Sequence, residues 1–388
     1  MRRPAALLLV LVLVAGCDAS TPRDRAAPET SEPPPPSDEP PSPTPGPPAV
    51  TMLPGGCAPW RGAPGLPQLT FLKDGKLLAY EPATGTVRCL EKRRAFGLAW
   101  GPRGDRVLLA GRANGAFGAS FESLVPGDNR ELAWSRPTGT SVVYVTHDYA
   151  RLLKQEVATD RVTDISFLEA HFDVAYHPAG THIAVAGRNE RGDVGLYLAT
   201  NEGTEVQRVV RGENAEYIDG LEFSHDGRKL YFRGHHADHL DLHTVRIFTG
   251  EETGDATRDL LDGRLETIYS GDRAPYFTVS PFARKTHLMF SSRCRTEDGT
   301  PAGVIVGDSQ SSLDQALGGL QPVGWLPDDS VAFLAFGSHR CDEVGEGDLY
   351  SWRDGAVTLV VEDVDAAAVR VRLPAAPDPP ARGQGVVA

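Results

Sequence analysis

Lysine is scarce in this chain: six residues against 33 arginines among 388, and acidic residues outnumber basic ones 52 to 39. The formal charge of −13 excludes a nucleic-acid binder, because nothing concentrates the positive charge that a phosphate backbone needs. Long hydrophobic runs are also missing. The apolar stretch Ala5–Val14 is too short to cross a hydrocarbon core of roughly 30 Å as a permanent helix. The five cysteines contain no CxxC pair, which removes the usual zinc framework. No G-x-S-x-G elbow, G-x-x-x-x-G-K-[ST] phosphate loop or dinucleotide fingerprint occurs. Gly307–Ser312 (GDSQSS) reads as a polar loop, and no stretch has room for an α/β-hydrolase domain. Hydrophobic residues still make up 40%, enough for a real core. The length admits two or three average domains or one large all-β domain.

The N-terminus carries an address. Arg2 and Arg3 precede the apolar stretch, and Val14-Ala15-Gly16-Cys17 resembles a bacterial lipobox. That resemblance implies cleavage after residue 16, diacylation of Cys17 and a chain anchored to the outer face of a membrane. An ordinary signal peptide with an incidental cysteine is the alternative. Loss of Arg2 and Arg3 with the leader takes the formal charge to −15. Thirteen of the 31 prolines then fall between Asp18 and Gly56, mixed with Ser, Thr, Asp and Glu and without apolar period. Such a segment cannot bury enough surface to fold, so it reads as a disordered tether, at about 3 Å per residue where it is extended.

Beyond the tether a repeat emerges. An apolar stretch ending in a large residue, a turn with Pro, Asp or Gly, and a second apolar stretch recur around Trp100 (LAWGPRGDRVLLAG), Trp134, Tyr176 (VAYHPAGTHIAVAG) and Phe223 (LEFSHDGRKLYFRG). Weaker copies surround Val279 and Trp325. The steps are 34, 42, 47, 56 and 46 residues, the spacing of four-stranded propeller blades. Gly195–Val210 and Asp348–Val361 supply third and fourth strands with their hairpin turns. Leu77–Leu90 is a similar hairpin whose inner partner must come from elsewhere; the C-terminal strand near Ala366–Leu373 is the natural donor and closes the ring.

Phe223–Phe232 (FSHDGRKLYF) is similar to the FSPDG-type repeat of TolB-type propellers, and GPRGDRVLLA, HPAGTHIAVA and LPDDSVAFLA are degenerate copies. The resemblance spans about Leu66 to Leu373 and implies an all-β propeller of seven four-stranded blades, with six as the alternative. Its motif residues are turn and packing residues, so it implies little about function. The expected organisation is a leader at 1–16, a lipidated cysteine and linker at 17–56, the propeller at 57–373 and a flexible tail at 374–388.

An even number of further cysteines in an exported chain favours disulfides. Cys294 and Cys341 follow the second strands of consecutive repeats and are expected to pair; Cys57 and Cys89 remain, tying the end of the tether to an outer strand. Reduced thiols or a metal site are the alternatives. The densest polar cluster is His235-His236-Ala237-Asp238-His239-Leu240-Asp241-Leu242-His243, from which His235, His239 and His243 are the candidate ligands for a divalent metal; a solvated loop is the alternative. His147-Asp148 and the acidic run Asp342, Glu343, Glu346 and Asp348 read as solvated loops with a weaker claim on calcium or a basic ligand. No catalytic constellation and no bound cofactor is expected. The sequence therefore points to a lipid-anchored, extracytoplasmic binding module for a protein, peptide or glycan of the cell envelope. The enzymatic alternative is a lactonase- or lyase-like propeller that uses a metal or polar groups at its central channel.

Overall fold

A computed structural model describes residues 51–52, 57, 68–81, 86–92, 97–104, 107–110, 116–117, 123–125, 132–211, 215–247, 265–271, 275–282, 288–292, 302–307, 310–313, 317, 319–337 and 346–370. The leader, Cys17, most of the Pro-rich segment, Cys294, Cys341 and the tail lie outside them.

The repeat turns explain why strands start and stop where they do. In Ser224-His225-Asp226-Gly227, Gly227 takes φ +72° and its N–H donates to Ser224 O at 2.9 Å. The Ser224 hydroxyl donates to Asp226 Oδ1 (2.6 Å) and accepts from Lys229 N (2.9 Å), while Arg228 N also donates to Asp226 (3.0 Å). These short polar side chains satisfy the backbone where the ladder cannot. The degenerate copies keep the backbone bond: Gly180 N donates to His177 O and Asp329 N to Leu326 O, although in the Pro327-Asp328-Asp329 turn a non-glycine, Asp329, takes φ +62°. Asp is among the few side chains that tolerate that region.

Each turn joins the inner two strands of an antiparallel sheet. Six four-stranded blades are complete, and the described residues contain no α-helix. In chain order after the first blade come Leu132–Trp134 to Val162–Asp164, Ala170–Tyr176 to Gln207–Arg211, Tyr217–Phe223 to Leu265–Gly271, Pro275–Val279 to Gln310–Leu313, and Leu320–Trp325 to Ala356–Val364. Two two-stranded ladders, Gly97–Trp100 with Val107–Ala110 and Ala116–Phe117 with Ser123–Val125, occupy the position after the first blade.

The first blade is composite. Its inner strand, Ala366–Val369, pairs antiparallel with Leu69–Lys73 (Leu69 opposite Val369, Leu72 opposite Ala366), and Lys76–Glu81 and Thr86–Lys92 follow. Thr70 Oγ1 donates to Ala368 O at 2.9 Å across this seam. Both ends of the propeller therefore lie in one sheet, as the sequence predicts. Thr51–Met52 adds a fifth strand parallel to Thr86–Lys92, and the Cys57–Cys89 disulfide forms beside it.

The core lies between blades. Ser141–Val145 and Val331–Ala335 are buried at every position, because second strands are covered on both faces. Phe232 packs with Phe172 and Leu196 of the preceding blade, and Phe71 packs with Leu334 and Phe336 across the closure. Burial of each such side chain contributes about 1.5–3 kcal/mol.

Candidate functional site

The inner strands enclose a channel holding a cavity of about 450 Å³. Its wall includes Trp100, Trp134, Tyr176, Phe223, Val279 and Trp325, the residues that anchor the sequence repeat. They end the inner strands just before each turn, and Trp134, Tyr176, Val279 and Trp325 are buried in the packed core at that level. Trp325 Nε1 donates to Thr278 O (3.2 Å) and Trp100 Nε1 to Thr70 Oγ1 (2.7 Å), which fixes these rings on neighbouring strands.

Two charged groups share that wall, Arg136 and Glu222. Glu222 follows an irregularity in pairing with the second strand that falls between Asp219 and Glu222, and Gly220 there takes φ +65°. Glu222 Oε2 accepts from Val279 N of the next blade at 2.7 Å, and Thr278 adds a side-chain hydrogen bond. Burial still wins and pushes the carboxyl up to about 7, against the opposing pull of those bonds and of Arg136. Burial likewise pushes Arg136 down to about 10, with Glu222 working the other way. One blade earlier, Asp173 Oδ2 accepts from Leu221 N at 2.8 Å, so inner-strand carboxylates clasp adjacent blades.

The histidine-rich segment forms a second constellation. Gly234 lies opposite Asp241 and Phe232 opposite His243 in the ladder between Lys229–His235 and Leu240–Arg246. Asp241 and His243 therefore share the face of Phe232 and Gly234. His235 falls on the other face with Arg233, where both bond Asp219 Oδ1 (His235 Nε2 at 3.0 Å, Arg233 Nε at 2.7 Å). Of the three candidate ligands, the structure thus brings His239 and His243 together and separates His235 from them. His236 takes its place.

Three imidazole nitrogens surround one oxygen. The Nε2 atoms of His236, His239 and His243 lie 3.5, 3.4 and 3.4 Å from Asp241 Oδ2. His236 and His239 stack with centroids 4.4 Å apart. His239 Nδ1 contacts Asp238 Oδ1 at 2.6 Å, and that bond raises the His239 pKa above the ordinary histidine value. Burial lowers that of His243, whose Nδ1 lies 3.1 Å from Thr267 Oγ1. None of these residues lines the channel. Of the other polar segments, Asp148 is spent on Thr146 Oγ1 (2.6 Å) and Ala150 N (3.2 Å). Asp342 and Glu343 lie outside the described residues, while Asp348 accepts from Asp363 N at 3.1 Å.

The channel pair escaped the sequence reading because Arg136 and Glu222 sit in different repeats, 86 positions apart in the numbering. His236 escaped it as well, because only the register that sets Gly234 opposite Asp241 puts His235 on the other face.

No family model matches the chain, and no curated relative matches it. Solved structures do. An oligogalacturonate lyase in complex with manganese aligns with a TM-score of 0.51 at 14% identity, over 73% of this chain and 82% of that one. A putative TolB from Agrobacterium tumefaciens aligns at 0.43 and 17% identity, covering 63% and 87%. TolB from Acinetobacter baumannii aligns at 0.44 and 12%, covering 77% and 81%. The neighbours thus include TolB-type propellers, and the likeness bears on the fold alone.

Proposed function

We propose that this chain is an exported, lipid-anchored propeller that serves the cell envelope as a non-catalytic binding module, taking a protein, peptide or glycan segment at the mouth of its channel. The observation that carries this reading is the channel wall, where aromatic and aliphatic residues alternate with Arg136, Glu222, Ser224, His225 and Thr278. A concave site that mixes aromatic faces with polar and charged groups holds a side chain or a sugar face and fixes its orientation. The lipobox-like Val14–Cys17 and the Cys57–Cys89 disulfide both favour an oxidising compartment outside the cytoplasm. A photo-crosslinking residue at the half-buried channel position Phe223, expressed in intact cells, tests the module. A discrete crosslinked partner, lost when Arg136→Ala is added, supports it; adducts that are diffuse or unchanged by that substitution count against it.

One observation favours the enzymatic alternative. A carboxyl held near neutrality beside a guanidinium is equipped to move a proton. That reading requires lyase- or lactonase-like turnover by the purified protein that disappears in Glu222→Gln. Turnover unaffected by the substitution removes Glu222 from it.

A further inference from the structure

We propose that His236, Asp241 and His243, completed by His239, form a transition-metal site on the blade Tyr217–Gly271, outside the channel, and that zinc(II) is the ion matched to it. The argument starts from edge lengths. Ligand bonds of about 2.0–2.1 Å in a tetrahedral zinc site place neighbouring donor atoms about 3.3–3.4 Å apart. The separations of Asp241 Oδ2 from the three Nε2 atoms are 3.4–3.5 Å. One atom each from His236, Asp241 and His243 falls within 4.8 Å of both others.

Three further observations point to a ligand. Asp241 is 8% exposed and its Oδ1 has no hydrogen-bond partner, a costly state for a buried carboxylate that a cation relieves. Gly234 makes the space: a Cβ there would lie 3.2 Å from His243 Nε2 and 3.3 Å from His236 Nε2. The outer nitrogens are already oriented. Thr267 faces His243 Nδ1 and Asp238 faces His239 Nδ1, so that each ring presents Nε2 inward. Such outer partners set tautomer and orientation in metal-bound histidines. His239 is stacked on His236, and its Nε2 lies 3.4 Å from Asp241 Oδ2, beside the set formed by the other three groups. Imidazole donors select zinc, copper or nickel over magnesium and calcium, and a tetrahedral set without thiolate suits zinc.

The test uses the whole exported chain, stripped of metal and titrated calorimetrically with zinc sulfate, magnesium chloride and calcium chloride. Cobalt(II) absorption reports the geometry. The expected result is one zinc per chain, bound at least on the order of 100-fold tighter than magnesium or calcium, with the intense visible bands of tetrahedral cobalt. His243→Ala abolishes this binding, whereas His235→Ala leaves it unchanged. Thr267→Val, on an exposed position, weakens it about 10- to 100-fold. If His243→Ala fails to fold, Gly234→Ala provides the steric test, with folding verified by circular dichroism. The proposal is overturned if zinc binds below one equivalent, if magnesium competes equally, or if folded Gly234→Ala and Thr267→Val chains bind zinc like the parent.

Discussion

Two titratable side chains, the half-buried Glu222 and the buried His177, give this protein opposing responses to pH. Glu222 is pushed from 4.5 to about 7, chiefly by burial, so the folded chain holds its proton more tightly than the unfolded chain does. Its contribution to stability is complete below pH 4.5 and is lost as pH rises to about 7. His177 is pushed from 6.5 down to about 4 by burial, and its contribution is complete above pH 6.5 and is lost as pH falls towards 4. Burial pushes His171 and His182 in the same direction as His177. Between pH 4.5 and 6.5 these slopes oppose each other. Urea unfolding of Glu222→Gln should therefore show stability that rises more steeply with pH across that window than in the parent. An unchanged slope shows that Glu222 ionises normally in the folded chain. A second residue-scale expectation concerns Gly227, whose φ is +72° and whose missing Cβ leaves room for the His177 ring of the preceding blade. Gly227→Ala should cost about 1–3 kcal/mol from strain and collision together, read as a lower urea midpoint. Sequence alone marked Gly227 as a turn glycine. The ring it accommodates belongs to another repeat, and no local pattern reports that.

At the scale of elements, the closing strand carries the most consequence. Ala366–Val369 is the inner strand of a blade whose other strands lie at the opposite end of the chain. A chain ending at Asp365 loses the seam with Leu69–Lys73 and leaves the buried Leu69 and Phe71 on an open edge. Open apolar edges pair with other chains. Gel filtration of the truncated protein should show species larger than the parent, and adding a peptide of residues 366–370 should restore the parent's elution; a truncation that elutes like the parent shows that the seam is dispensable. This seam was legible beforehand because Leu77–Leu90 is a hairpin short of an inner partner and the C-terminus supplies a spare apolar strand. The pair of two-stranded ladders after the first blade was legible only as the short step of 34 residues from Trp100 to Trp134, which kept six blades open. Trp100 and its turn resemble every other copy, and the interruption lies further out, where strands shrink to Ala116–Phe117 and Ser123–Val125. The histidine segment falls between these cases. Residue type announced a cluster, and only pairing across the ladder decided that His236 joins it while His235 turns to Asp219.

For the molecule as a whole, a closed ring has to resist opening at the point where its two ends meet. The Cys57–Cys89 bond reinforces that point, since Cys89 belongs to Thr86–Lys92 of the composite blade and its side chain joins the core shared with Leu334 and Phe336. The bond spans 32 positions, for which restriction of the unfolded chain contributes about 3–4 kcal/mol. It also fixes the start of the propeller to an outer strand. Cys57→Ala with Cys89→Ala should lower the thermal midpoint and, more specifically, make limited proteolysis begin before residue 92 while the Leu132–Arg211 blades remain intact. Uniform loss of protection around the ring would show instead that the crosslink stabilises the fold globally, without a special role at the closure. The separation between those outcomes follows from topology: among the described residues, the other five complete blades are each built from consecutive strands, and the first alone depends on both ends of the propeller.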